Sequence, residues 1–265
     1  MVTNTKTGVV TRTVVVTGAG GGIGRAIAQH HAAHGWAVVG IERDPAAASE
    51  LRSADMGSAP PIDVVVGDVA DESVLREALD RAVVVGRLEA WVNNAAALRD
   101  VPLAEVDDDH MRRVLRINVE ALVTGARLAV AEFRRTATAG SIVAVSSVHA
   151  SVGFAAHPLY DASKGAVEAF CRSVAAEAGP HGIRCNAVAP GAVMTEREVE
   201  ARRSGPLPVE PIPLAMFSSP EEIAAVVGFL TDPASAAING AVIAADRGLS
   251  SVFVDDHWRS APGRR

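Results

Sequence analysis

Short apolar runs rich in β-branched residues alternate along the chain with longer stretches whose apolar residues recur every three or four positions. Thr13 to Thr17 (TVVVT) has the composition of a buried strand, and Ile23, Ala26, Ile27, His30 and Ala33 then follow at helical spacing. The strand signal returns at Trp36 to Ile41, Ile62 to Val66, Leu88 to Val92, Ser141 to Val145, Ile183 to Val188 and Ala241 to Ala245. Helical patterns fall between them, at Ala46 to Ala54, Asp71 to Val85, Ala104 to Arg135, His157 to Ala178 and Pro220 to Leu230. The last has a clear start, with Ser219 as N-cap, Pro220 at the first helical position and Glu222 able to close a capping box. Strand and helix in alternation predict parallel pairing through right-handed crossovers: an α/β architecture with a doubly wound sheet of about seven strands and helices on both faces.

Composition narrows the function classes. The chain has 265 residues, 49% hydrophobic and 21% charged, enough for a full core without disulfides or a structural metal. No repeat or linker divides it, so residues 1–265 are expected to form a single domain, with the polar ends, about 1–11 and 257–265, frayed. The Pro-rich patch Gly205 to Pro213 reads as part of a substrate loop over about 196–217, since only one helix and one strand follow it. A net charge of −6 without a basic block argues against nucleic acid or an anionic membrane as partner. No stretch is long and apolar enough for a membrane span, and the first residues lack the apolar core of a signal peptide, so the expected location is cytoplasmic. Cys171 and Cys185 have neither zinc-site nor redox-motif spacing and read as small buried hydrophobes; no metal is expected.

Chemistry first shows in Thr17-Gly18-Ala19-Gly20-Gly21-Gly22-Ile23-Gly24, which joins the first strand to the first helix. Glycines there let a phosphate bridge approach the backbone, and the helix N-terminus offers free N–H groups and a positive dipole end. Glu42 closes the second strand, where an acid can accept hydrogen bonds from a ribose 2′ hydroxyl. A second signal comes from rarity. Lys6 and Lys164 are the only lysines in a chain otherwise served by arginine, Tyr160 is its one tyrosine, and Tyr160 and Lys164 stand four residues apart on one predicted helix. Lys164 in place of the favoured arginine points to a demand for a compact point charge.

The TGxxxGxG spacing, Gly67-Asp68-Val69, Asn93-Asn94-Ala95, Asn118, Ser146-Ser147, Tyr160-Asp161-Ala162-Ser163-Lys164 and Pro190-Gly191-Ala192-Val193-Met194-Thr195 occur in an order that resembles the short-chain dehydrogenase/reductase family, in its single-domain Rossmann-type branch. The resemblance covers roughly Thr13 to Gly248. It implies hydride transfer between a nicotinamide cofactor and a small or medium secondary alcohol or ketone, with Asn118, Ser147, Tyr160 and Lys164 as catalytic residues. Tyr160 would be the acid/base, Ser147 would hold the substrate oxygen, Lys164 would bind the nicotinamide ribose, and Asn118 would support a water-mediated proton relay. Gly18, Gly22, Ile23, Gly24, Glu42, Arg43, Asp68, Val69, Asn94, Val193 and Thr195, with Tyr160 and Lys164, would bind the cofactor. The family also implies a homo-oligomer, a tetramer. Two positions depart from its pattern: Ala96 stands for the glycine after NNA, and Asp246-Arg247-Gly248 stands where DGG is usual.

An ordinary phenol is protonated at neutral pH, so the charge of Lys164 one helical turn away is expected to lower the Tyr160 pKa, by about two to three units. Glu42 would repel a 2′ phosphate and favours NAD; Arg43, next in sequence, keeps NADP open. His149, Phe154 and Met194 are candidate substrate contacts by position, as is His157, although each histidine also suits a helix cap or the surface. Arg197, Arg202 and Arg203 suit either an anionic substrate or a solvated helix face balanced by Glu196, Glu198 and Glu200. Two rival readings remain: an NADPH-dependent ketoreductase of the 3-oxoacyl reductase kind, and a nicotinamide-binding sensor without turnover.

Overall fold

β-Branched residues in the short runs favour extended backbone, and in the computed structural model, which describes residues 11–57, 59–203 and 217–251, every predicted strand forms. Strands β1 (Arg12–Thr17), β2 (Ala37–Glu42), β3 (Asp63–Val66), β4 (Arg87–Asn93), β5 (Ser141–Val145), β6 (Arg184–Pro190) and β7 (Val242–Ala245) make one sheet in the order β3-β2-β1-β4-β5-β6-β7. Every strand pair is parallel.

Alternation along the strands builds two cores. Val14 and Val16 of β1 face one layer with Ile27, Val38, Val143, Val188 and Val227, while Val15 faces the other with Ile41, Trp91, Ile142 and Phe133. Each fully buried aliphatic side chain in these layers stabilises the fold by about 1.5–3 kcal/mol. Helices α1 (Gly22–Ala33), α2 (Pro45–Ser53) and α8 (Pro220–Thr231) contribute to the first layer. Helices α3 (Glu72–Val85), α5 (Ala121–Thr136) and α6 (Pro158–Ala178) contribute to the second. The Ser219–Glu222 capping box forms as expected, and Cys171 and Cys185 are buried thiols with no disulfide. No helix of the described residues is long and apolar enough to cross a membrane.

Two differences from the sequence expectations bear on the site. The helical pattern from Ala104 to Arg135 is not one helix: a 3-10 turn (Leu103–Glu105) precedes α4 (Asp108–Leu115), and a π-helical turn (Arg116–Glu120) joins α4 to α5. The extra residue in a π turn shifts a side chain off the ideal helical face, and the one so placed is Asn118. The loop expected over about 196–217 begins instead as helix α7 (Glu196–Arg203); the Pro-rich patch lies outside the described residues, as do 1–10 and 257–265. Positive φ outside glycine is confined among the described residues to Ala137, Ala156 and Arg247, so Ala96 keeps an ordinary backbone and its methyl is tolerated. Arg247 takes φ 53° beside Asp246, which accepts hydrogen bonds from the backbone N–H groups of Gly248 and Ser250.

Candidate active site

The strand order reverses direction at β1, so the crossovers to β2 and β4 part there and leave a cleft beyond the carboxyl ends of the strands. It measures about 1210 Å³ and brings together Gly18, Gly22, Ile23, Gly24, Glu42, Arg43, Asp68, Val69, Asn94, Tyr160 and Thr195. The glycine loop has the backbone this requires: Gly18 and Gly22 take φ 63° and 48°, and a Cβ on Gly24 would lie 1.9 Å from the Gly18 carbonyl oxygen. Thr17 and Asn94 fix the loop from behind. Thr17 Oγ1 accepts the Asn94 and Ala95 N–H groups at 2.9 and 3.0 Å, and Asn94 Nδ2 donates to the carbonyls of Thr17 and Gly18. Val193 packs against the core and bridges to Ser218, two positions before Thr195.

Whether a dinucleotide suits this cleft is answered by two carboxylates already in it. Glu42 accepts the Gly20 N–H at 2.9 Å and the Asp44 N–H at 3.0 Å, placing negative charge where β2 ends. Glu196, from the first turn of α7, accepts the Gly22 N–H at 2.9 Å and lies 3.8 Å from Arg25. Its oxygen sits at the start of α1, where the helix dipole and free N–H groups favour an anion. Asp68 turns the chain after β3 by accepting the Ala70 N–H at 2.9 Å. These features fit an adenine dinucleotide.

Deeper in, the ends of β5 and α6 converge. Lys164 is buried, 3% exposed, donates from Nζ to the Val145 carbonyl at 2.7 Å and lies 5.4 Å from the Tyr160 ring centre. Burial lowers its pKa from 10.5 to about 8. Tyr160 departs from expectation. Although the residue as a whole is only partly buried, desolvation, with help from the Asp161 carboxylate, pushes its phenol up to about 12, against the opposing pull of a hydrogen bond with Ser147 and the charge of Arg197. The expected lowering by Lys164 is therefore corrected: loss of hydration and the Asp161 carboxylate outweigh Ser147 and Arg197, Lys164 is not among the groups that pull the phenol down, and Tyr160 is held as a proton donor.

Asn118 is 3% exposed and heavily engaged. Its Oδ1 accepts the Ala97 N–H at 2.7 Å, and its Nδ2 donates to the Ala97 carbonyl and to Ser163 Oγ. Ser163 in turn donates to the Tyr160 carbonyl at 2.7 Å, so the π turn is tied to the helix that carries Tyr160. A cavity of about 10 Å³, the size of one water molecule, is lined by Thr17, Asn93, Asn118 and Lys164 among others.

Of the expected substrate contacts, His149 and Phe154 reach Tyr160's surroundings: their rings stack at 4.0 Å, and His149 meets the Tyr160 ring edge-on at 5.1 Å. His157 joins them, 5.1 Å from His149. Met194 lies on the segment beyond β6 and donates its N–H to the Ser218 carbonyl. Arg197 lines the cleft, whereas Arg202, partly buried, pairs with Glu198 at 2.8 Å and lies over the Phe217 ring. Sequence reading missed Arg25, Asp161 and the anchoring role of Glu196. Their partners lie 5, 12 and 174 residues away, and no local spacing connects the latter two pairs.

Comparison with known proteins follows the same lines. Residues 18–250 match the family model described as enoyl-(acyl carrier protein) reductase. The chain is 35% identical over 242 residues to galactitol 2-dehydrogenase (L-tagatose-forming) of Cereibacter sphaeroides, covering 89% of this chain and 93% of that protein. It is similar to the solved structure of an oxidoreductase of the short chain dehydrogenase/reductase family from Burkholderia thailandensis, with TM-score 0.81 and 31% identity over 92% of this chain and 94% of that one. It is likewise similar to ElxO with NADP bound, with TM-score 0.84 and 26% identity over 92% of this chain and all of that one.

Proposed function

The chain belongs to the short-chain dehydrogenase/reductase family, and from that premise we propose that it interconverts a secondary alcohol and its ketone with Tyr160 as acid/base and NAD as the preferred cofactor. The observation that carries the reading is the convergence of Tyr160, Ser147 and Lys164 at the inner end of a cleft built for a dinucleotide. The nicotinamide, when bound, supplies or takes up the hydride.

The chain's own residues handle the proton and the geometry. Ser147 holds the substrate oxygen beside the phenol, and Tyr160, kept protonated by burial, gives its proton to a ketone oxygen as that oxygen gains charge. In the oxidative direction Tyr160 must first lose that proton. Lys164 lies 5.4 Å from the ring centre, and the water-sized cavity beside Lys164 and Asn118 suits a relay that carries the proton away. Asn118 positions Tyr160 through Ser163. Glu42, anchored by two backbone N–H groups, supports NAD because its charge opposes a 2′ phosphate. Arg43 in the same cleft, together with NADP in a similar structure, favours the NADPH-dependent ketoreductase as the second reading.

Titration with NADH and NADPH by nicotinamide fluorescence, in wild type and Glu42→Ala, tests the cofactor. Tight NADH, weak NADPH and a preference relaxed by the substitution are expected; a wild-type preference for NADPH would reverse the order of the readings. Tyr160→Phe should still bind NADH but lose turnover of alcohols and ketones. Turnover that survives this change would refute the role of Tyr160.

A further inference from the structure

The turn between β5 and α6 carries a second polar pair beside Tyr160, of which Asp161 helps to hold the phenol protonated while the imidazole has no part in the proton chemistry above. His149 Nδ1 lies 2.6 Å from Asp161 Oδ1, and the other carboxylate oxygen accepts the Phe154 N–H at 3.1 Å. Phe154 stacks on the imidazole with 21° between the planes, and His157 closes against it edge-on. His157 is itself held by Asp100 at 3.0 Å and by the Ala155 carbonyl at 2.7 Å. The backbone N–H of His149 donates to Ser147 Oγ at 3.3 Å, so the imidazole is fixed relative to the hydroxyl that takes the substrate oxygen.

This packing determines what His149 can offer. An ionised carboxylate only accepts, so Nδ1 carries the hydrogen, and in the neutral ring Nε2 is left as a lone-pair acceptor. Desolvation lowers the imidazole pKa from its ordinary 6.5, ahead of the opposing pull from Asp161, which keeps the ring neutral at pH 7. Nε2 has no hydrogen-bond partner among the described residues, while the side chain keeps 17% exposure. An unpaired acceptor on a ring whose centre lies 5.1 Å from that of Tyr160 calls for a donor on the substrate, since a carboxylate would set lone pair against lone pair.

We propose that His149, oriented by Asp161, is the specificity-determining residue for substrates with a second hydroxyl on the carbon next to the reacting carbinol, its Nε2 accepting that hydroxyl's hydrogen. The substrate class is thus vicinal diols and polyols. The inference rests on the proposed reading in which Ser147 and Tyr160 hold the reacting oxygen. Asp161 acts through His149 and is a positioning residue.

The test compares butan-2-ol, butane-2,3-diol and 2-hydroxybutanoate as substrates with NAD, in wild type, His149→Phe, His149→Gln and Asp161→Asn. Wild type should prefer the diol. His149→Phe should lower the diol-to-mono-alcohol ratio of kcat/KM about tenfold, the weight of one hydrogen bond, mainly through KM for the diol. His149→Gln, whose amide oxygen can accept, should restore part of that ratio, and Asp161→Asn should lower it. An unchanged ratio in His149→Phe, or a wild-type preference for the hydroxy acid, would overturn this inference while leaving the Tyr160 reading intact. If wild type turned over neither alcohol, nor butanone and acetoin in reverse, the Tyr160 reading would fail and this inference with it.

Discussion

Replacing Lys164 with methionine should make the protein more stable while abolishing its activity. Lys164 is buried, hydrogen-bonded to a single protein oxygen, and its pKa falls from 10.5 to about 8 because burial disfavours the charged form. That drop corresponds to ~3 kcal/mol set against folding at pH 7, where the unfolded chain's lysine is charged and hydrated. Methionine fills nearly the same volume, removes the charge and forfeits the bond to Val145, at a cost of about 1 kcal/mol. A net gain of about 2 kcal/mol is expected, which in a chain of this size raises Tm by roughly 4–8 °C.

The pH dependence supplies the check. A folded pKa below the unfolded one means that the native state releases its proton first, so wild-type stability rises as pH climbs from about 8 towards 10.5. The variant lacks this gain. Its advantage in thermal unfolding should therefore be large at pH 7 and shrink at pH 9.5. Tyr160 does not interfere in that window: its raised pKa leaves its contribution constant below pH 10 and removes it only between about 10 and 12. A variant that melts below wild type at pH 7, or a gap that does not narrow with pH, would refute the claim that Lys164 is retained at a cost to stability.

Three more outcomes follow from the same geometry. Glu196→Gln removes the carboxylate that competes for the Gly22 N–H, and since the side chain is 65% exposed the effect is modest: NADH should bind about two- to fivefold tighter by fluorescence titration. Gly20→Ala places a Cβ 2.5 Å from Glu42 Cγ, so the flexible carboxylate must swing away; the same titration should show weaker NADH binding and a smaller preference over NADPH, with little change in Tm. Because burial raises the Tyr160 pKa to about 12 while that of Lys164 falls to about 8, initial rates of alcohol oxidation should still be rising between pH 6 and pH 8, where Lys164 keeps its charge, whereas a plateau already below pH 7 would mean that the phenol ionises far earlier.

Much of the site was legible in the sequence because its parts are local. The glycine loop, the strand ends at Glu42 and Ser147, and the one-turn spacing of Tyr160 and Lys164 each follow from backbone geometry within a few residues, and the strict strand and helix alternation forces the parallel sheet that aligns them. The regions that misled were those where a distant partner decides. Ala104 to Arg135 has unbroken helical periodicity, and the π turn is accompanied by hydrogen bonds of Asn118 to Ala97 and Ser163, which lie 21 and 45 residues away. The sign of the Tyr160 shift was beyond reach for a similar reason, because spacing reveals the neighbouring charge but not the loss of water that outweighs it. The contacts of Glu196 with Gly22 and of His149 with Asp161 are likewise made by crossovers that bring remote segments to one end of the sheet. Short-range propensity and periodicity thus determined the strands, the helices and the glycine loop, the family resemblance of the ordered motifs singled out the candidate residues, and tertiary packing decided their burial and their partners, because those depend on segments far apart in sequence.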